Sequence, residues 1–337
     1  MTEPIFKWIA ESWSVTGSSH TRASTCNQDY GSVDVINNGQ ILIAAVADGH
    51  GSKKCFRSER GSKFAVESAI SNFKSYILNL PNSDIPSAIR NDISIEMPRA
   101  IVRDWQRKVD LDLFENPPSC FDLDKLSESE RKNFESNPRV AYGATLVGAL
   151  VMSEISAFIQ IGDGDLLIVT DLENGPNSIR PIPPDPKSFA NYTASLSTNE
   201  LNTTEKRPHG GGGPWSDFRT RFIDNNGNPP AFILLTTDGY PNAFISDAAF
   251  QSVASDIISI IKTEGWEMVR SHMPIWLEDA SRNGSGDDAT VAIAFRSELL
   301  ESKNEPNSSH LNSSDVNSDQ LTNNVDEQAI DNQIGLN

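Results

Sequence analysis

Cysteine is scarce in this 337-residue chain: Cys26, Cys55 and Cys120 are the only three, and no two stand in C-x-x-C spacing. An odd count without that spacing excludes a disulfide framework and a structural zinc site, and it fits a reducing compartment. No apolar run approaches the ~20 residues of a membrane span, and the opening stretch MTEPIFKWIAESW lacks a basic region followed by an apolar one. The chain therefore reads as cytoplasmic, and sequons such as Asn191-Tyr192-Thr193 read as chance matches. Positive charge is short as well. With 28 lysines and arginines against 46 acidic residues the net charge is -18, which argues against nucleic acid or an anionic membrane surface as a partner. There is no internal repeat and no haem, flavin or nucleotide motif. The run His209-Gly210-Gly211-Gly212-Gly213-Pro214 lacks the Gly-Lys-Ser/Thr ending of a phosphate-binding loop and reads as a flexible linker. No G-x-S-x-G elbow marks a serine hydrolase.

What is present is organised in two parts. Residues 1–296 carry short apolar runs and amphipathic stretches. From Ser297 onward the chain is rich in Asn, Ser and Asp, with eight acidic residues against one lysine. Such a segment cannot bury enough surface to offset its ordering entropy, so 297–337 is expected to be a disordered acidic tail. In the first part, strands are expected at Ile41 to Ala47, Thr145 to Met152, Ser156 to Ile161, Leu166 to Thr170, Ala231 to Thr236 and Thr290 to Phe295. Helices are expected at Gly61 to Ile77, Ser87 to Val109, Asp247 to Thr263 and Glu264 to Arg282, where apolar residues recur at spacings of three and four. The turns joining several strands are too short for crossover helices, which favours antiparallel sheets layered with helices. Residues 171–230, with PIPPDP and the glycine run, read as a long irregular insertion.

Four of these strands are bounded by an aspartate in a turn-like setting: Asp48-Gly49 after AAVA, Gly162-Asp163-Gly164 after FIQI, Asp238-Gly239 after ILLTT, and Asp287-Asp288 before ATVAIAF. A single such aspartate is commonly a turn former. Several brought together at strand ends would repel one another unless cations sat between them, and oxygen-only ligands select hard cations such as magnesium or manganese. Two cations held by shared carboxylates suit hydrolysis of a phosphate ester.

These residues resemble the type 2C metal-dependent serine/threonine protein phosphatases, the PPM family. The marks are Asn27-Gln28-Asp29, Ala47-Asp48-Gly49-His50-Gly51, Tyr142-Gly143-Ala144-Thr145, Ile161-Gly162-Asp163-Gly164, Thr236-Thr237-Asp238-Gly239 and Gly286-Asp287-Asp288-Ala289-Thr290-Val291. Their order and spacing agree with the family over roughly Ser14 to Phe295, and the Gly17 to Asp29 region looks most like a compact bacterial branch. The resemblance implies an α+β fold: a four-layer αββα sandwich of two mainly antiparallel β-sheets flanked by helices. It also implies two Mn2+ or Mg2+ ions and a weaker third. Asp48 would bridge two metals, the Gly49 carbonyl would bind one, and Asp238 and Asp287 would complete the other. Asp29 would act through a metal-bound water, Asp163 would share the third metal with Asp238, and His50 would be the general acid for the leaving alcohol. Phosphorylated proteins would be the substrates, and a serine/threonine kinase acting on the same targets the counterpart.

The departures from the pattern are Gln28 where many members have glutamate, Ser24 where many have a phosphate-holding arginine, and Gly164 in place of serine. His20 and Arg22 are the candidate replacements for the arginine, and Gly17-Ser18-Ser19-His20 is expected to open the first strand or shape its turn. Two rival readings exist. A catalytically silent binding protein of the same fold usually lacks metal aspartates, whereas Asp48, Asp238 and Asp287 are all present. An aspartyl-nucleophile phosphatase would need a threonine or valine after Asp163-Gly164-Asp165, which is missing.

Overall fold

The computed structural model describes residues 6–80, 85–172, 177–184, 193–198 and 213–301. The sequon at Asn191, the glycines 210–212 and residues 302–337 lie outside the described residues.

The apolar runs form strands buried on both faces, which is why they read as near-continuous hydrophobic sequence rather than as alternation. They are β3 (Ile41–Ala47), β4 (Leu146–Val151), β5 (Ile155–Ile161), β6 (Asp165–Val169), β9 (Phe232–Thr236) and β10 (Ala289–Arg296). Half-buried β1 (Trp8–Val15) and β2 (Tyr30–Ile36), the two-residue β7 (Ser178–Ile179) and the charged β8 (Arg219–Asp224) complete two five-stranded sheets. One sheet has the order β1-β10-β9-β6-β7 and the other β2-β3-β4-β5-β8, with every pairing antiparallel.

Alternation along each strand sorts its side chains into layers. Leu42, Ala44 and Val46 of β3 meet Leu166, Leu235 and Ala292 between the sheets. Ile43 and Ala45 of the same strand point outward against Phe73, Ile93 and Trp105, which come from α2 (Ser58–Leu78) and α3 (Ile85–Glu115). The other sheet is covered by α6 (Asp247–Thr263) and α7 (Trp266–Ala280), whose Phe250, Ile258, Met273 and Leu277 pack on Leu234 and Ile293. The result is the expected four-layer αββα sandwich.

Three local expectations change, and two short helices are added. Of the two alternatives for Gly17 to His20, opening a strand fails and they instead follow one: β1 ends at Val15, and Ser18–Ala23 form a short helix, α1, capped by Gly17. The insertion 171–230 is not irregular throughout, since β8 lies within it and pairs with β5 along the edge of its sheet. Ordered structure also runs past residue 296, because α8 (Glu298–Glu301) follows β10 and buries Leu299 at 1% exposure among the α6 and α7 side chains. Between α3 and β4, two short helices, α4 (Cys120–Asp124) and α5 (Glu128–Ser136), each begin with a serine capping box, at Ser119 and Ser127.

Candidate active site

Strand register gathers the aspartates. Because neighbours run antiparallel, the end of one strand lies beside the start of the next. Tyr30 opposite Ala47 sets Asp29 beside Asp48. Thr236 lies opposite Val291 on one side and Asp165 on the other, which sets Asp238 between the Asp287 segment and Asp163. All five therefore meet at one edge of the sandwich although they come from both sheets.

The backbone at this edge is tightly held. The Thr145 N–H donates to the Asp48 carbonyl at 2.8 Å, the Asp48 N–H donates to Thr145 Oγ1 at 3.0 Å, and the His50 N–H donates to the Gly143 carbonyl at 3.0 Å. Glycine is required at 49 by close approach: a Cβ there would lie 2.5 Å from the Gln28 carbonyl oxygen and 2.6 Å from that of Ser58. At Gly239 a Cβ would come within 1.9 Å of the Asp288 carbonyl oxygen. The Asp-Gly pairs are thus packing requirements of the strand ends as well as turn signals.

One carboxylate oxygen each from Asp48, Asp163 and Asp238 lies within 4.8 Å of the other two. Among the described residues no lysine or arginine is paired with any of the three, and Asp163 Oδ1 is buried without a hydrogen-bond partner. The other Asp163 oxygen accepts from Thr193 Oγ1 at 2.8 Å. Burial, and then the charges of Asp29, Asp238, Asp163 and Asp287, hold the Asp48 carboxyl well above the usual carboxylate range. Burial with the Asp163 and Asp287 charges pushes Asp238 up to about 7. Asp29, buried behind them, is also raised well above its ordinary value, chiefly by burial, although Thr237 Oγ1 donates to it at 2.6 Å. An uncompensated group of oxygen donors with a spare buried lone pair fits a hard divalent cation. Asp48, Asp163 and Asp238, with exposed Asp287 and buried Asp29 at their flanks, are the residues that would hold it.

The neighbouring Asp288 has a different task. Its buried carboxylate accepts the Gly17 and Gln28 N–H groups at 2.6 Å each and lies 2.8 Å from His20 Nδ1, tying the segment before β2 to the start of β10. His20 Nε2 is 3.8 Å from Asp287.

These groups line a cavity of about 560 Å³ that contains Asp48, Asp163, Asp238, Asp287, His50 and His20. Gln28 also lines it, with Nε2 donating to Ser58 Oγ at 2.7 Å and Oε1 buried without a partner. Arg22 is not brought in: it is exposed and donates to Ser19 Oγ at 3.1 Å. The rest of the lining was not evident from sequence. It includes Lys54 from the loop after β3, Asn133 and Asn137 from the α5 region, and Ser195, Ser197 and Thr198 from the insertion. The two parts of this wall are joined where Asn137 Nδ2 donates to the Ser197 carbonyl at 2.9 Å. His50 is pushed below the ordinary imidazole value by burial, against the opposing influence of Asp163.

Residues 16–278 match the family model of protein phosphatase 2C. The chain belongs to the protein phosphatase 2C family. Its fold is similar to a solved serine-threonine phosphatase 2C from Toxoplasma gondii, with 15% identity, a TM-score of 0.51, and coverage of 88% of this chain and 96% of that one. A bacterial serine phosphatase variant aligns with 16% identity and a TM-score of 0.50, over 85% of this chain and 97% of that one. The catalytic domain of the serine threonine protein phosphatase PstP, solved with two manganese ions, aligns with 16% identity and a TM-score of 0.46, over 86% and 99%. At these identities the likeness is one of fold. No curated protein sequence matches the chain.

Proposed function

We propose that the protein is a metal-dependent serine/threonine protein phosphatase that hydrolyses phosphoserine or phosphothreonine in protein substrates. The observation that supports this most is the convergence of Asp48, Asp163 and Asp238 in one cavity with no basic partner among the described residues. Two Mn2+ or Mg2+ ions held there, with a weaker third at Asp163, would supply charge neutralisation and a water of lowered pKa for phosphoryl transfer.

The chain's own groups do the rest. Asp48 and Asp238 sit centrally, so their carboxylates and the Gly49 carbonyl would orient the cations, while Asp29 and Gln28 stand behind as acceptors. His50 borders the same cavity and is the group that would deliver a proton to the departing serine or threonine oxygen. Burial lowers its pKa, so the proton-carrying form is a minority at neutral pH and activity on alkyl phosphates should be favoured on the acid side. The walls from α5 and from the insertion carry polar side chains and border a cavity of about 560 Å³ in which a side chain carrying a phosphate would be received.

The test is hydrolysis of phosphoserine and phosphothreonine peptides by the full chain, with manganese, magnesium or EDTA. Turnover with metal and none in EDTA is expected. Metal binding without turnover under any of these conditions would instead identify a silent member of the family, and turnover undiminished by EDTA would refute the metal mechanism.

A further inference from the structure

The carboxylate cluster accounts for cations but leaves the substrate's phosphoryl oxygens without a protein partner. The segment before β2 does not supply one. Ser24 stands at the position where the resemblance places an arginine, Arg22 lies outside the cavity, and His20 is engaged by Asp288 at 2.8 Å.

Among the described residues that line the cavity there is one lysine or arginine, Lys54. It lies on the single 3-10 turn Lys53–Cys55, a few residues beyond His50. The backbone of that turn is anchored, because Cys55 is buried at 2% exposure and its N–H donates to the Ser52 carbonyl at 2.8 Å. Phe56 just beyond it packs against Phe134 of α5 at 5.7 Å between ring centroids.

The Lys54 side chain is half-buried, yet it makes no hydrogen bond or ion pair among the described residues. Several other half-buried cations, Arg57, Arg60, Lys74, Lys108 and Arg180, have carboxylate partners. An ammonium group partly withdrawn from water and left unpaired is unfavourable unless an anion comes to it. Its charge reaches the active centre, since it disfavours the protonated form of the neighbouring His50. Ser52, Asn133 and Asn137 line the same cavity and are neutral, and the carboxylate whose charge meets that of Lys54 is the fully exposed Glu130 of α5.

We infer that Lys54 holds the non-bridging oxygens of the substrate's phosphoryl group, performing from the loop after β3 the task that family resemblance assigns to an arginine before β2. This rests on the phosphatase reading above. Lysine offers a point charge with three donors rather than a planar fork, so it attracts and positions phosphate without a bidentate geometry.

Lys54→Met and Lys54→Arg separate the possibilities. Calorimetric titration of inorganic phosphate into wild type and both variants in saturating magnesium is run beside steady-state phosphopeptide hydrolysis, with melting curves to confirm folding. Lys54→Met is expected to weaken phosphate binding by about ten- to a hundred-fold, the scale of a charge-assisted hydrogen bond, and to raise KM more than it lowers kcat. Lys54→Arg is expected to recover most of the phosphate affinity. Unchanged phosphate affinity in Lys54→Met overturns the inference, and so does a variant that loses only its preference for acidic flanking residues. Absence of phosphate binding by wild type overturns it too. Phosphate binding that depends on Lys54 in a protein that never turns over would sustain the inference and refute the phosphatase reading. Turnover indifferent to Lys54 would refute the inference alone.

Discussion

Replacing Asp238 with asparagine should make the metal-free protein more stable and the metal-loaded protein inactive. Asp238 is pushed up to about 7 by burial and by the Asp163 and Asp287 charges, against an ordinary value near 3.9. A carboxyl whose folded pKa lies above its unfolded one binds its proton more tightly when folded. Its contribution to stability is therefore fully present below about pH 4 and is lost as pH rises through about 7. Roughly three pH units correspond to an upper bound of about 4 kcal/mol for ionising this group in the folded cluster. Relaxation and water entry reduce that, so about 1–3 kcal/mol is expected from Asp238→Asn at pH 8, or roughly 2–6 °C in melting temperature. The amide keeps an oxygen to accept from Asn242 Nδ2, which now donates to Asp238 at 3.1 Å. Manganese at about ten times its Kd should stabilise wild type by about 1.4 kcal/mol by mass action and the variant by much less. The assay is thermal melting of both proteins at pH 5 and pH 8, in EDTA and in manganese. The reasoning fails if the variant melts lower than wild type in EDTA at pH 8, or if it retains the full shift with manganese.

Four further outcomes are expected. His50→Gln should slow hydrolysis of phosphoserine peptides far more than that of p-nitrophenyl phosphate, whose phenolate leaves without a proton; equal losses on the two substrates would remove the general-acid role. In wild type, the rate on phosphoserine peptides should fall with rising pH from a midpoint below the ordinary imidazole value, because burial lowers the His50 pKa, and a midpoint above it would contradict that placement. Asp288→Asn should lower stability in EDTA by ~2–3 kcal/mol, since one amide oxygen cannot replace a carboxylate that accepts both the Gly17 and Gln28 N–H groups; a melting temperature within a degree or so of wild type would show that the segment before β2 is held by other means. Ending the chain at Arg296 should cost about 2 kcal/mol through loss of buried Leu299 and of the Ser297 hydrogen bonds to Lys7, whereas ending it at Glu301 should leave the melting temperature unchanged.

Much of this was legible in the sequence for a physical reason. Strands such as Ile41–Ala47, buried at every position, have no polar alternative to confuse the pattern, and Asp-Gly pairs at their ends mark where backbone approaches too closely for a side chain. The strands that escaped are those with one wet face or an edge position: β1 and β2 are half-buried, and β8 carries two arginines and an aspartate. The start of α1 is not local information, since it depends on a contact 271 residues away, between Gly17 and Asp288. Asn133 and Ser197 stand in no motif with the aspartates, and only the packing of α5 and of the insertion around the cavity brings them there, whereas Lys54 follows the Asp48 segment on its own turn. Arg22, attractive as a nearby cation, is turned away by the helical conformation of its own segment.

The connection between β5 and β6 is only Gly162-Asp163-Gly164, and it carries the chain directly from one sheet to the other. The path from β1 through α1 to β2 crosses between the same two sheets at the same edge. The link from β8 to β9 crosses back between the sheets at the opposite edge, where Asn225 Nδ2 donates to the Met152 carbonyl at 2.6 Å. The two plates are thus tied at both ends. The tie beside the ligand cluster is the shorter, so any change in its length would move Asp163 directly.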